Sequence, residues 1–253
     1  MIGRVIACVC AIAALPARAV LPDEIQVYLD DINKPGEPGL ELHVNTTPSG
    51  RTTPDFPGEI TPGHGLRITP EFSYGLTQTL EAGFYMPFVF PDNGHNEFAG
   101  PKVRLKWLPL QTGETGGGFA GVNFEYAWVK SDLEQATRAG ELRPIVGWRS
   151  PEWLVAANPI LDFDLAGPEK GARPSFEPAI KASRKVAQGI DAGLEYYGNL
   201  GPAGQWLPLA RQAHSLYLAF DVDHAPWVFN FGVGRGWYAA DRWTVKMIFE
   251  IPL

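Results

Sequence analysis

Apolar and polar residues alternate along most of this chain. Over its last eleven residues, 243–253, every odd position from Trp243 to Leu253 is apolar, whereas the even positions include Lys246 and Glu250. Successive side chains of a β-strand point to opposite faces, so this pattern predicts a strand with one apolar and one charged face. A series of such period-2 segments predicts an all-β fold. The other clear examples are 100–108, 118–130, 189–198, 213–223 and 226–235.

Turn residues divide positions 39–253 into about twelve strand-like stretches. Most come close to the roughly 9–11 residues that a transmembrane strand needs, although the first and sixth are shorter. The predicted strands are 39–46, 65–74, 80–90, 100–108, 118–130, 142–149, 153–165, 175–186, 189–198, 213–223, 226–235 and 242–253.

The connections between these stretches alternate between tight turns and longer Gly/Pro/polar loops. Membrane barrels have this asymmetry, with short periplasmic turns and longer outer loops. An even strand count places both chain ends on the periplasmic side, so the last strand should close against the one beginning near Gly39. The exception is 109–117, a glycine-rich link that is not tight. The tight turns are 75–79, 150–152, 188–189 and 223–225, and the long loops are 47–64, 91–99, 131–141, 166–174, 199–212 and 236–241.

The tryptophans favour a membrane barrel over a soluble β-sandwich or lipocalin, which would also alternate. Six of the eight lie at strand ends on the apolar parity. Indole rings are enriched at both membrane–water interfaces, where they form aromatic girdles. The sequence therefore predicts an antiparallel transmembrane β-barrel of about 12 strands in contact with outer-membrane lipid. The predicted girdle is Trp107, Trp148, Trp153 and Trp227 at the periplasmic rim and Trp128 and Trp243 at the outer rim.

Residues 1–19 have the features of a cleavable signal peptide. Arg4 is followed by a short apolar run, and Ala17-Arg18-Ala19 fits a cleavage site. A membrane anchor is the alternative, but the run is too short to span comfortably as a helix. We therefore expect export and a bacterial outer-membrane location. Residues 20–38, rich in Pro, Gly and acids, are predicted to be a non-barrel N-terminal segment in the periplasm or inside the lumen, followed by the barrel, 39–253.

Composition excludes some kinds of chemistry and partner. Both cysteines, Cys8 and Cys10, lie in the predicted signal peptide, so the mature chain would have no disulfide and no thiolate site. The formal net charge of −7 disfavours nucleic acid as a partner, because phosphates need a basic face. The mean hydropathy of −0.10 fits a barrel in which lipid-facing and lumen-facing residues alternate.

The parity opposite the apolar one is densely charged, and we predict that it lines the lumen. A water-containing passage for small solutes is one interpretation, and a closed plug of salt bridges is the other. Twelve strands are intermediate between filled barrels and open porins. The basic strand at 102–106 and the acids near 191–221 would create a transverse field unless they neutralise each other. The predicted lumen residues are Glu41, His43, Arg67, Glu71, Lys102, Arg104, Lys106, Glu125, Arg143, Asp162, Glu177, Lys181, Asp191, Glu195, Asp221, Lys246 and Glu250.

An enzyme acting on lipid or peptide is the alternative function, and a closed structural barrel is another. His64, His95 and His214 lie in or beside predicted outer loops. Acyl transfer needs at least a base beside a hydroxyl. His214 and Ser215 are adjacent on one strand, so their side chains point to opposite faces and cannot form a dyad directly. We therefore predict no catalytic residues, no cofactor and no metal site.

Three stretches, 39–45, 68–77 and 98–107, resemble Gram-negative outer-membrane proteins grouped near the MetA pathway of phenol degradation and related transporter barrels. The resemblance covers most of 39–253 and is one of strand and turn pattern. It implies a channel for small, often hydrophobic compounds. The final alternation also resembles the sorting signal read by the barrel assembly machinery, which implies that machinery as a partner. Here Pro252 and Leu253 stand where such a signal usually ends in Phe.

Overall fold

A computed structural model of the chain describes residues 24–113 and 115–253. The predicted signal peptide, 1–19, lies outside the described residues. No helix within these ranges is long and apolar enough to cross a membrane. The strands are β1 Pro38–Ser49, β2 Leu66–Gly75, β3 Leu80–Tyr85, β4 Phe88–Phe90, β5 Glu97–Phe98, β6 Lys102–Leu110, β7 Gly117–Trp128, β8 Arg138–Arg149, β9 Trp153–Asp164, β10 Ser175–Ala187, β11 Ile190–Asn199, β12 Ala213–His224, β13 Trp227–Tyr238 and β14 Trp243–Glu250.

The strands form one antiparallel sheet that closes on itself, because β1 pairs with both β2 and β14. Strands β3 and β4 both pair with β2 and are separated by Pro87, which cannot donate a ladder hydrogen bond. Strand β5 precedes β6 in the same way, with Pro101 between them. The described segments therefore make twelve barrel strands. The predicted twelve-stranded barrel and the predicted closure of the last strand against the first are both confirmed.

Several strand boundaries differ from the predictions, and β13, for example, runs to Tyr238 rather than to 235. The sixth predicted strand begins at Arg138 rather than at 142, because β7 supplies partners for this polar stretch as far as the Trp128–Arg138 pair. The first extends to Ser49, not 46. The last ends at Glu250, not 253. The Ile251 N–H still donates to the Leu40 carbonyl at 2.8 Å, but Pro252 has no N–H with which to continue the ladder.

The two faces of the sheet have opposite chemistry. Phe124 and Leu218 on the outer face are 49% and 53% exposed, although both are large and apolar. On the inner face, Lys106 and Lys246 are buried. This distribution is the reverse of a water-soluble barrel, whose apolar side chains fill the interior. The apolar exterior surrounds a polar interior, which is where a candidate site has to be sought.

A charged lumen that holds the N-terminal segment

Residues 24–37, here called the N-terminal segment, enter the lumen from the side of the tight turns. At this entrance the Gly36 N–H donates to the Gly75 carbonyl at 2.8 Å, and the Gly75 N–H donates to the Glu37 carbonyl at 3.1 Å. A Cβ at Gly75 would lie 2.2 Å from the Lys34 carbonyl oxygen, so only glycine permits this close approach. The entrance is thus built into the end of β2.

Deeper in the lumen, Asn158 of β9 holds the backbone of the N-terminal segment. The Tyr28 N–H donates to Asn158 Oδ1 at 2.7 Å, and Asn158 Nδ2 donates to the Tyr28 carbonyl at 3.1 Å. Ile25, Val27 and Tyr28 are all buried. The side-chain amide thus satisfies both backbone polar groups of the buried residue Tyr28, as a neighbouring strand would.

Five cations on β6 and β8 form a surface that we call the basic wall: Lys102, Arg104, Lys106, Arg143 and Arg149. Three acids of the N-terminal segment, Glu24, Asp30 and Asp31, contact it along its length.

Glu24 lies 2.9 Å from Lys102, Asp30 accepts a hydrogen bond from Arg149 Nε at 3.1 Å, and Asp31 lies 3.5 Å from Lys106. The Tyr28 ring also lies 4.3 Å from the Arg143 guanidinium carbon. The segment therefore binds this wall through both charge pairs and an aromatic face.

Carboxylates on barrel strands complete the neutralisation of the basic wall. Arg104 bridges Glu71 at 2.6 Å and Glu81 at 2.7 Å. Arg143 donates to Glu141 at 2.6 Å, and Lys102 lies 2.9 Å from Glu125. The basic residues are thus neutralised by nearby carboxylates of the barrel wall and by the N-terminal segment, rather than by the acids near 191–221 on the other side of the lumen.

Those acids belong to a separate ionic cluster, defined here as Lys181, Glu195, Asp221 and Lys246. Lys181 lies 3.1 Å from Glu195 and 2.7 Å from Asp221. Lys246 pairs with Glu195 and also donates to the Ile25 carbonyl of the N-terminal segment at 3.0 Å. Strand register explains the pairing, because Lys181 lies opposite Glu195 on adjacent strands.

Among the described residues, a larger and a smaller cavity lie in the lumen beside the N-terminal segment. The larger, about 390 Å³, opens among the long loops and is called the vestibule; Asp162, Glu177 and Tyr197 are among its lining residues. The smaller, about 150 Å³, lies toward the tight turns and includes the ionic cluster in its lining; it is called the lower cavity. Gln26 lines both cavities. The N-terminal segment therefore narrows the barrel without filling it.

The predicted lumen residues differ in burial. Glu250, at the end of β14, is exposed and lines the lower cavity. Five are half-buried: Glu41, Asp162, Glu177, Asp191 and Asp221. The remaining eleven are buried: His43, Arg67, Glu71, Lys102, Arg104, Lys106, Glu125, Arg143, Lys181, Glu195 and Lys246.

All six tryptophans of the predicted girdle are 43–65% exposed and lie near strand ends. Trp237 was missed: it lies near the long-loop end of β13 and is 44% exposed. The sequence feature that could have located it is its odd position, which puts Trp237 on the same face of β13 as Trp227.

A further cluster was missed because its members come from two strands. One ligand atom each of Glu41, His43 and Glu71 lies within 4.8 Å of the others, a spacing that could hold a metal ion. However, His43 Nε2 already lies 3.0 Å from Glu71, and Arg104 bonds the same carboxylate. The arrangement therefore fits a buried ion-pair network better than a metal centre.

Both ring nitrogens of His214 have a hydrogen-bonding partner, and neither partner is Ser215. His214 Nδ1 lies 2.7 Å from the Tyr196 hydroxyl, and its Nε2 lies 3.0 Å from Gln212 Oε1. Ser215 lines the vestibule on the opposite face of the strand, so the two cannot form a dyad. His64 and His95 are exposed loop residues.

The long loops are tied together above the vestibule. The Arg51 N–H in the β1–β2 loop donates to Asp241 Oδ1 in the β13–β14 loop at 2.9 Å. Arg51 also pairs with Glu59 at 2.6 Å. Burial raises the pKa of Asp241, although its contacts with Arg51 act in the opposite direction. Asp241 lines the vestibule, so its protonation changes the charge at the cavity mouth.

Comparison with known proteins supports the architecture. No protein-family profile and no curated protein sequence matches the chain. An outer membrane channel from Pseudomonas putida F1 is similar, with a TM-score of 0.60 and 11% identity over 90% of this chain and 99% of that one. The KdgM porin is also similar, with a TM-score of 0.51 and 9% identity over 85% and 99% of the two chains. The chain has an outer-membrane barrel fold. The narrower resemblance to proteins of the MetA pathway stays a prediction.

Proposed function

We propose that this protein is an outer-membrane channel that lets small solutes pass by diffusion. The carrying observation is the polar lumen with the vestibule at one end and the lower cavity at the other, both beside the N-terminal segment. A barrel serving only as a structural element has no need for internal cavities lined by charged groups.

The outer face supports the membrane location. Apolar side chains such as Leu105, Phe124 and Leu218 cover the barrel wall, and tryptophans lie near the strand ends. In contact with lipid, an Arg or Lys side chain at the midplane would cost about 2–4 kcal/mol, and an Asp or Glu side chain less, so charges are expected inside. The indole rings favour the headgroup level.

The N-terminal segment determines how wide the passage is. Its Tyr28 backbone is held by Asn158, and its Ile25 carbonyl is held by Lys246 in the ionic cluster. These contacts bring the segment between the basic wall and the ionic cluster. We therefore propose a narrow resting state that widens when the segment moves.

Single-channel recording in planar bilayers tests this function with the full chain. We expect small discrete conductance steps, and larger or more frequent ones in Asn158→Ala, because the Tyr28 backbone loses both of its partners. Thr69→Ala is the control, because Thr69 is buried on the inner face but lines neither cavity. The conductance of this variant should stay at the parent level. Heat-modifiable electrophoretic mobility verifies that the barrel is folded. If the parent protein and Asn158→Ala are both folded and neither conducts, the protein is a closed structural barrel instead.

A further inference from the structure

We infer that the N-terminal segment makes the resting lumen selective for cations, so that small cations, including organic amines, are the solutes that the channel favours. This inference rests on the proposed channel function. It combines two observations: which charges the segment covers, and which charges still face the cavities.

The segment covers the positive side of the lumen. It brings Glu24, Asp30 and Asp31 to Lys102, Arg149 and Lys106, one acid to each cation. Arg143 additionally donates to the Gln26 carbonyl at 3.3 Å, and Arg104 is engaged by Glu71 and Glu81. The basic wall therefore contributes little net positive charge to the open space while the segment is docked.

Carboxyl groups dominate both cavities. Among the described residues, the vestibule is lined by nine Asp or Glu residues and four Lys or Arg residues. The lower cavity is lined by six acidic and two basic residues. The excess in the vestibule remains even if two of its carboxyl groups carry a proton. Two of its four cations, Lys102 and Arg143, are already paired with Glu24, Glu125 or Glu141.

A cavity with an excess of one charge sign and low-dielectric walls concentrates counter-ions and raises their encounter rates by about 10–10³. The barrel wall supplies the low dielectric, because its outer face is apolar. Cations should therefore accumulate in the vestibule and anions should be repelled. If the segment leaves, these three carboxylates depart and four cations lose a partner in it, namely Lys102, Lys106, Arg143 and Arg149. The preference should then weaken or reverse.

Cysteine modification tests the sign of this field without requiring conduction. The native cysteines are at positions 8 and 10, within the predicted leader, which leaves the barrel free of thiols. Ser215→Cys places a thiol in the vestibule, and Thr53→Cys places one on an exposed loop as the reference. The probes are a cationic and an anionic methanethiosulfonate of similar size.

We expect the ratio of cationic to anionic reaction rates to be on the order of tenfold higher at Ser215→Cys than at Thr53→Cys. Adding Glu24→Gln, Asp30→Asn and Asp31→Asn should lower the ratio at Ser215→Cys. Neutralising Asp92 and Glu152, which are exposed and line neither cavity, should leave it unchanged. Equal ratios at the two thiols, or an anion preference in the vestibule, would overturn the inference.

Reversal potentials across a KCl gradient supply the functional test. A shift toward the K⁺ equilibrium potential, diminished in the triple variant, supports the inference. A conducting but non-selective or anion-selective channel overturns it while leaving the channel function intact. A silent barrel refutes the proposed function, and the thiol reactivity then still decides whether the lumen prefers cations.

Discussion

The basic wall and the ionic cluster lie in the same lumen but are neutralised in different ways. Lys181 of the cluster has Glu195 directly opposite it on the next strand, so adjacent strands supply the partner. Three cations of the basic wall stand at alternate positions of β6, and only Arg104 and Lys106 face a carboxylate directly across the sheet. The N-terminal segment supplies much of the missing negative charge. A run of like charges on one strand thus attracts the acids of the segment, whereas the mixed charges of the ionic cluster pair with one another and contact the segment at the Ile25 carbonyl.

The largest expected effect comes from breaking the contact at the deep end of the segment. Glu24→Lys places a third cation beside Lys102 and Arg143, both of which are buried. Losing a buried pair costs about 3–5 kcal/mol, so the segment should undock. Single-channel conductance should rise several-fold, and the urea midpoint of unfolding should fall.

Glu152→Lys makes the same charge change at an exposed turn pair with Arg184 and serves as the control. Exposed pairs contribute little to stability, so conductance and midpoint should stay near the parent values. Unchanged conductance in Glu24→Lys would mean that the basic wall does not hold the segment.

A matched pair of lysine substitutions compares the basic wall with the ionic cluster, and we expect smaller effects than for Glu24→Lys. Lys102→Met removes a cation that binds the segment. Lys181→Met removes a cation whose salt bridges are with Glu195 and Asp221 of the ionic cluster. Lys102→Met should raise conductance about twofold or more, because Glu24 loses part of its binding site. Lys181→Met should chiefly raise the cation preference of the lower cavity, because Glu195 and Asp221 lose a shared counter-charge.

Both effects can be read from one set of bilayer recordings, as conductance and as reversal potential. Identical behaviour of the two lysine variants would remove the distinction between the two sides of the lumen. Loss of barrel heat-modifiability in either variant would identify a folding defect, and Lys102→Gln and Lys181→Gln then replace the methionine pair.

The smallest expected effect is a pH dependence at the vestibule mouth. Because burial raises the pKa of Asp241, this group takes up its proton at a higher pH than an exposed aspartate. Cation preference should therefore fall as the pH is lowered from neutral, and Asp241→Asn should show a smaller fall over the same range. Reversal potentials measured at a series of pH values decide this, and a cation preference that rises on acidification would contradict it.

Alternation alone predicted most of the fold. Period-2 patterns located the twelve barrel strands, and the contrast of tight turns with long loops predicted the closure of β14 against β1. Some strand boundaries were wrong where backbone pairing with a neighbouring strand outweighed a polar composition. Residues 138–141 have the composition of a loop but pair with β7 and extend β8. Strand β14 ends before Pro252, because proline has no N–H for the ladder. The proline was visible in the sequence, but the alternation of apolar residues predicted a strand as far as Leu253.

The sequence by itself determined which side chains face inward, because a strand turns every second residue to the same face. The tertiary structure decided which of those side chains meet. Contacts such as Glu24 with Lys102, or Asn158 with the Tyr28 backbone, join residues 78 and 130 positions apart. Parity carries no information on such separations, since they depend on register around the closed barrel and on the path of the segment inside it.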